Sequence, residues 1–204
     1  MSGYSYIIIC LCLLFPVSCS MYTPPEAIRN QILSEKWKLH KQSLSKLSSY
    51  QVRGALSFLS DKKKVFARFN WQQKNDKCYR LILTNLLGST ELDLNINQGT
   101  VQLINDQGKY YIGSNPEVAL QKLINMPIPL NELREWLIGL PGSSTNFTLN
   151  SNGLIYVLNS DVNGYFWTVV YHGYYENTLV TLPSSLELRQ GNNRIKLKID
   201  SWKL

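Results

Sequence analysis

The chain has 204 residues, of which 44% are hydrophobic, 17% charged and 11% aromatic, enough to form the core of one domain or at most two. This composition excludes a disordered chain. The net charge of +7 is compatible with an acidic protein, an anionic membrane or a nucleic acid as partner, and does not distinguish between them.

The first 25 residues differ from the rest, because every Lys, Arg, Asp and Glu lies at Glu26 or later. The apolar run Tyr6–Val17 has 12 residues, whereas a membrane span needs roughly 20. This length predicts the hydrophobic region of a secretory signal peptide, although residues 1–5 lack the usual Lys or Arg. An uncleaved membrane anchor is the alternative interpretation.

The end of this run has the features of a lipoprotein cleavage site. Cys19 follows the small residue Ser18, although Pro16 stands where such sites usually have Leu. We therefore predict a signal peptide over residues 1–18, acylation of Cys19, a tether over 19–25 and one domain over 19–204. Ser20 is not the Asp that retains lipoproteins in the inner membrane, so the outer membrane is the expected location.

Export also affects which partners and which disulfide bonds are expected. A nucleic acid is no longer an expected partner, whereas a membrane surface or an acidic protein remains. Of the four cysteines, Cys10, Cys12 and Cys19 lie in the first 19 residues. Cys78 is left alone in the exported domain, so an intramolecular disulfide is not expected.

A helix is predicted from Glu26 to about Leu47, because Trp37, His40, Leu44 and Leu47 recur on one helical face. His40 is interpreted as part of that buried stripe. As a metal ligand or base it would need partners, and the chain has just one other histidine.

From Tyr50 onward the apolar residues recur with a period of two. Alternation of this kind is typical of antiparallel strands with one buried and one exposed face. Turn signals such as Gln98-Gly99 and Asn163-Gly164 separate the apolar runs. The pattern predicts ten or eleven strands in meander order, and no βαβ unit.

Two helices are predicted within the strand pattern, between about Asn115 and Gly142. Pro116 is suited to the first turn of the first helix, the segment 126–129 forces an extended break, and Gly139 ends the second helix. Amphipathic helices and a sheet with one apolar face have to pack on each other. We therefore predict a mainly β fold, a strongly curved and partly closed antiparallel sheet with helices over its concave mouth.

No motif of a known catalytic or metal site is present, and neither a cofactor nor a metal is expected. Cys78 stands at a strand start with no activating histidine nearby in sequence, so it is interpreted as a structural thiol. The sequence therefore indicates a protein that is not an enzyme.

The segment Thr84–Ser89 is unusual because its centre is Leu86-Leu87, where turns normally carry Gly, Pro, Asn, Asp or Ser. One interpretation is a loop that folds back so that its leucines cap the core. The other is an exposed hydrophobic finger, in which each leucine gains roughly 1.5–3 kcal/mol on leaving water for a lipid or protein partner.

The chain resembles the LolB family of outer-membrane lipoprotein receptors, and the resemblance covers nearly the whole mature chain. Each matching segment is weak by itself, but the ordered set is specific. The segments are Trp37-x-x-His40, Tyr50-x-Val52-x-Gly54, Phe69-x-Trp71, Leu87–Glu91, Met126–Leu130, Leu133–Gly142, Leu182-Pro183 and Ile195–Trp202.

The resemblance implies an open antiparallel half-barrel of about eleven strands, with a helical lid over an apolar cavity. It also implies a protruding loop with a functionally important leucine, which is Leu87 here, with Leu86 beside it. The usual Asn-Pro-Leu-Gly of the family is Asn85-Leu86-Leu87-Gly88 in this chain, so the proline that would stiffen the loop is absent.

In function, the resemblance implies a receptor that takes acylated lipoproteins from the periplasmic carrier LolA. The receptor then releases them into the inner leaflet of the outer membrane. We expect it to face the periplasm as a monomer. The candidate cavity-lining residues on the apolar face of the sheet and on the lid helices are Val65, Phe69, Trp71, Leu81, Leu83, Leu92, Leu94, Leu120, Leu123, Trp136 and Leu137.

Two other functions stay open at this point. A structural or lipid-binding outer-membrane lipoprotein would share the anchor and the sheet, but would not need an apolar finger beside an open cavity. An enzyme acting on lipids would need a nucleophile and a base that converge in space, for example a serine with His172.

Overall fold

The computed structural model describes residues 25–61, 63–124, 128–176 and 180–204. The predicted signal peptide, Cys19 and all of the predicted tether before Pro25 lie outside the described residues. In the first helix of the predicted pair, the backbone of Leu123 and Ile124 is described, but their side chains are not.

The described residues form three helices and eleven strands. In chain order these elements are α1 (Glu26–Leu44), β1 (Tyr50–Leu59), β2 (Lys64–Asn75), β3 (Cys78–Thr84), β4 (Thr90–Asn97), β5 (Thr100–Asn105), β6 (Tyr110–Gly113), α2 (Pro116–Ile124), α3 (Leu130–Leu137), β7 (Asn146–Leu149), β8 (Ile155–Val162), β9 (Tyr165–Tyr175), β10 (Leu182–Gln190) and β11 (Asn193–Lys203). All of them begin at or after Glu26, so a chain starting at Ser20 contains every described element.

All eleven strands belong to one antiparallel sheet in the order β6-β5-β4-β3-β2-β1-β11-β10-β9-β8-β7. Strands that follow one another in sequence are neighbours, and the pairing of β1 with β11 joins the two meanders. No described pair joins β6 to β7, so the sheet is open. The predicted mainly β fold, with about eleven antiparallel strands, is confirmed.

One face of the sheet carries the hydrophobic core, and the alternation in the sequence explains why. In β1, for example, Val52, Leu56 and Phe58 are buried, while Arg53 is exposed. The helices α2 and α3 contribute Leu120, Leu130 and other side chains to the same cluster. These two helices therefore cover the apolar face of the sheet, and we call them the lid.

Helix α1 is buried only towards its C-terminal end. It stops at Leu44, three residues before the predicted Leu47, and Leu44 is fully buried. Trp37 packs against the core, whereas Ile28 and Ile32 in the first half are exposed. The predicted apolar stripe is thus confirmed for the second half of the helix.

The lid helices begin and end where the sequence indicates. Pro116 is the first residue of α2, where its missing N–H leaves no hydrogen bond unmade. At the end of α3, Gly139 has φ +85°, and the N–H of Leu140 reaches back to the carbonyl of Glu135. This is the left-handed glycine cap that stops a helix.

None of the helices in the described part of the chain combines the length and the hydropathy that crossing a membrane requires.

Candidate functional site

The loop between β3 and β4 presents two leucines to solvent. Leu86 is 76% exposed and Leu87 is 93% exposed, the latter more than any other large hydrophobic side chain among the described residues. The leucines therefore do not fold back to cap the core, and the exposed finger is the correct interpretation of this segment. We call residues 85–89 the leucine loop.

The leucine loop is held by hydrogen bonds from Asn85. The Oδ1 atom of Asn85 accepts from the backbone N–H groups of Leu87 and Ser89, both at 3.0 Å. Its Nδ2 atom donates to Oε1 of Glu91 at 2.9 Å, and Gly88 closes the turn at φ +89°. These hydrogen bonds hold the loop in place although it contains no proline.

Two other hairpin loops have the same architecture with polar tips. In the loop 105–109, Oδ1 of Asn105 accepts from the N–H groups of Gln107 and Lys109. Asn150 forms the matching bonds in the loop 150–154. Because the same turn forms with Asp106-Gln107 at its tip, turn geometry does not require the leucines. A role outside the fold explains them better.

The apolar space between sheet and lid is lined by side chains from β1–β4, β10, β11 and both lid helices. Seven of the predicted lining residues meet there: Phe69, Trp71, Leu81, Leu83, Leu92, Leu120 and Leu137. Leu94 and Trp136 are fully buried in the surrounding core instead, and Val65 packs at its edge. The side chain of Leu123 is outside what the structure describes.

Six further residues line this space that were not predicted to do so, namely Leu56, Ile128, Leu133, Leu188, Ile195 and Leu197. Leu56, Ile195 and Leu197 lie on the buried face of alternating strands, so the period of two could have identified them. The pairing of β1 with β11 is what brings these residues to the middle of the wall.

The apolar space is nearly filled in this structure. Its free volume is about 20 Å³, whereas pockets that hold small ligands have roughly 300–1,000 Å³. The space can hold no more than one or two water molecules. The structure therefore leaves no room for a ligand of that size between the sheet and the lid.

Polar contacts fix helix α3 to the sheet. The hydroxyl of Tyr171 donates to the carbonyl of Trp136 at 2.9 Å, and that of Tyr50 donates to the carbonyl of Arg134 at 3.3 Å. The Arg134 side chain donates to the carbonyl of Asp76 and lies over the ring of Tyr79, 5.4 Å from its centre. These contacts connect α3 to strands in both halves of the sheet, β1 and β3 on one side and β9 on the other.

Burial around these contacts has a clear electrostatic effect. Desolvation raises the pKa of Tyr79 to about 12. On α2, the carboxylate of Glu117 lies near the backbone N–H groups of Asn131 and Leu130, at the start of α3, and they favour its charged form. Burial nevertheless raises the pKa of Glu117. The two lid helices are thus connected through one carboxylate.

A groove of about 270 Å³ lies between α2 and the hairpin β8–β9. Ile128 lines this groove and also lines the closed apolar space. The Ile128 side chain is 4% exposed. It therefore separates the outer groove from the interior.

The other candidate residues do not come together. Cys78 on β3 is half-buried, with its Sγ 3.3 Å from Oδ1 of Asn97. His172 is on β9, which is separated from β3 by four other strands of the sheet. His40 on α1 is half-buried, and burial lowers its pKa. Across the described residues, no group of three or more His, Cys, Asp or Glu could hold a metal ion.

Comparison with known proteins agrees with these features. The family profile described as "Outer membrane lipoprotein LolB" matches residues 48–202. The chain is 56% identical to the outer-membrane lipoprotein LolB of Sodalis glossinidius over 92% of this chain and 90% of the relative. It is 47% identical to that of Serratia proteamaculans over 89% and 88%, and 45% identical to that of Yersinia enterocolitica over 97% and 95%.

Solved structures were matched as well. A LolA superfamily protein from Nitrosomonas europaea aligns with a TM-score of 0.44 at 8% identity, over 85% of this chain and 92% of the other. A putative outer membrane lipoprotein-sorting protein domain from Vibrio parahaemolyticus aligns with a TM-score of 0.41 at 5% identity, over 86% and 92%. The family profile spans most of the chain, and the curated relatives are named as lipoproteins rather than as enzymes. The chain therefore belongs to the LolB family of outer-membrane lipoproteins.

Proposed function

We propose that this protein accepts acylated lipoproteins from the periplasmic carrier LolA and incorporates them into the inner leaflet of the outer membrane. In this proposal the protein is a monomer, anchored through a lipid on Cys19 and facing the periplasm. The observation that carries the proposal is the ordered leucine loop, with its two exposed leucines, on a sheet that encloses an apolar interior.

The need for an apolar interior follows from the cargo. An acyl chain of roughly 16 carbons gains about 0.8 kcal/mol per CH₂ by staying out of water, so a lipoprotein with three chains gains tens of kcal/mol. Such a cargo cannot cross an aqueous compartment unshielded. Transfer involves no change in covalent bonds, and each step can run downhill from a looser site to a tighter one.

We propose that acyl chains enter through the groove between α2 and the hairpin β8–β9. Ile128 separates that groove from the interior, so its displacement would connect the two. Helix α3 is held to the sheet through Tyr50, Tyr171 and Arg134. Displacement of Ile128, which lies between the two lid helices, is therefore the movement that we expect.

For release, we propose that Leu86 and Leu87 enter the acyl region of the outer membrane. The leucine loop is fixed by Asn85 rather than by packing of its leucines. The two side chains can consequently leave water for lipid without any loss of contacts in the fold. Insertion of the two leucines brings the interior of the protein next to the bilayer that receives the cargo.

A lipoprotein that binds lipid without transferring it is the second candidate. It would share the apolar interior, but a polar tip like that of loop 105–109 would serve it equally well. The leucine tip therefore favours transfer over simple binding.

The test is acceptance of cargo in solution. A soluble form that begins at Ser20 is mixed with LolA carrying a fluorescently labelled lipoprotein, and transfer is followed by separating the two proteins. We expect the label to move to the soluble form, since its interior offers the tighter site. The matched control is the variant Leu120→Glu, which places a charge in the apolar wall and should accept little. If the unsubstituted form takes up no label, the proposed function is wrong.

A further inference from the structure

The outer, solvent-facing surface of β1, β2, β10 and β11 carries a concentration of positive charge. We call its six cationic side chains the basic patch. They are Lys64, Arg68, Arg189, Arg194, Lys196 and Lys198, and all six are exposed. The described carboxylates among them are Glu187 and Asp200, so cations outnumber carboxylates by three to one.

Strand register places these cations in adjacent rows. Lys64 on β2 is level with Arg194 on β11 and Arg189 on β10, with Leu59 of β1 between them. In the next row, Ser57 of β1 lies between Phe66 of β2 and Lys196 of β11. In the row after that, Ala55 lies between Arg68 and Lys198. Neighbouring strands are about 4.8 Å apart. The basic patch is therefore a compact area about 15 Å across, with the uncharged side chains of Leu59, Ser57 and Ala55 along β1.

The carboxylates neutralise only part of this area, in which Asp200 pairs with Arg68. Glu187 is nearly buried, and its Oε1 atom accepts from Nε of Arg189 at 2.7 Å and lies 3.4 Å from Nη1 of Arg194. Its Oε2 atom lies 3.7 Å from Nζ of Lys196. One carboxylate is thus shared by three cations. These cations keep about half of their side-chain surface in solvent, available to a second anion.

The basic patch also contains an exposed aromatic residue. Phe66 is 58% exposed and lies between Lys64 and Arg68 on the polar face of β2. The last register pair of β2 with β3 is Arg68 with Thr84, one residue before the leucine loop. Phe66 and Lys64 lie beyond that pair, at the end of the sheet where the leucine loop projects. The patch and the loop therefore belong to neighbouring parts of one surface.

We propose that the basic patch binds the headgroups of an anionic phospholipid bilayer and so orients the leucine loop towards the membrane. The inference rests on the proposed function, which it deepens by naming the surface that meets the lipid. Cations with long apolar stems around an exposed aromatic ring are the composition that favours a membrane interface. An acidic protein would be attracted by the cations but offers no reason for Phe66 to be exposed among them.

The experiment measures vesicle binding of the soluble form that begins at Ser20. Vesicles of phosphatidylcholine alone are compared with vesicles that contain 30% phosphatidylglycerol, at low and high salt. The test variant is Lys64→Gln/Lys198→Gln. Its matched control, Lys74→Gln/Lys77→Gln, removes the same charge from exposed lysines at the opposite end of β2, about 20 Å from the nearest row of the basic patch. Melting temperatures of both variants check that the fold is kept.

We expect the unsubstituted form to bind the anionic vesicles more tightly than the neutral ones, and to lose this preference at high salt. The test variant should lower the affinity for anionic vesicles about 25-fold, since each cation near such a surface contributes about fivefold. The control variant should change it by less than about threefold.

Three results would overturn the proposal. One is an equal loss of vesicle affinity in the test and control variants, which would show an effect of net charge alone. Another is an affinity of the unsubstituted form that does not depend on the charge of the lipid. The third is unchanged vesicle binding by the test variant together with impaired uptake from LolA, which would assign the patch to an acidic protein. Uptake by the unsubstituted form tests the proposed function separately, so the two failures can be told apart.

Discussion

Exchanging the tip of the leucine loop for that of its neighbour separates the two roles of the loop. The double substitution Leu86→Asp/Leu87→Gln copies the tip Asp106-Gln107, which occupies the same kind of turn. The hydrogen bonds from Asn85 do not involve the leucine side chains. We therefore expect the free energy of unfolding to change by less than about 0.5 kcal/mol, as for other exposed substitutions.

The effect on release should be much larger. The two leucines are 76% and 93% exposed, so nearly all of their apolar surface is free to enter lipid. Each then contributes roughly 1.5–3 kcal/mol, or about 3–6 kcal/mol for the pair. At 1.4 kcal/mol for each factor of ten, release into vesicles should be slowed by about 10²- to 10⁴-fold.

The assay loads the variant with a labelled lipoprotein and measures transfer of the label to vesicles. Uptake from LolA should be normal, because the apolar interior is untouched. The matched control, Asp106→Asn/Gln107→Asn, alters the neighbouring tip without adding or removing an apolar side chain and should release cargo normally. Normal release by the tip exchange would refute the assigned role, and so would loss of uptake with an unchanged melting temperature.

Two further predictions concern the stability of the site and its surroundings. Asn85→Ala removes the hydrogen bonds to Leu87, Ser89 and Glu91, and should cost about 1 kcal/mol, or roughly 2–4 °C in melting temperature. Asn105→Ala should lower the stability by the same amount but leave release of cargo intact. Equal release defects in the Asn85→Ala and Asn105→Ala variants would contradict a special role of the leucine loop. Glu187→Gln should destabilise by about 1 kcal/mol in urea titrations at pH 7. Burial alone would raise the pKa of Glu187, but the Arg189 hydrogen bond and the nearby cations lower it overall. The stability that this carboxylate contributes is therefore complete above its unfolded-state pKa and is lost as pH falls through its folded-state pKa. A difference between the variant and the unsubstituted protein that does not shrink as the pH is lowered would contradict this origin.

Local patterns in the sequence were sufficient to predict the secondary structure. A period of two in β1 and β2, and the glycine cap at Gly139, depend on neighbours within a few residues. The leucine loop was partly predictable as well, because leucines at a turn centre are anomalous without any structure. Its order was not predicted, although the recurrence of Asn-x-x-Gly at Asn85 and Asn105 contains the signal.

Properties that depend on packing could not be predicted. Nothing in the spacing of Phe69 or Leu120 indicates whether the space between them is empty or filled, since that is decided by rotamers across several elements. The position of Ile128 between groove and interior is equally a three-dimensional fact. The basic patch needed the register of four strands, because Lys64 and Arg194 are distant in sequence but lie at the same level of the sheet, on either side of β1.

The filled interior affects how tightly any cargo can be held. With about 20 Å³ free, the empty protein satisfies its own apolar wall, so a guest chain must replace contacts that the host already makes with itself. Under the proposed function, the measured affinity is then a difference between two competing sets of contacts, and remains moderate even for a very insoluble guest. When the acyl chain leaves, the apolar side chains of the interior pack on one another again. This repacking makes release of the cargo into the bilayer more favourable and its rebinding less favourable.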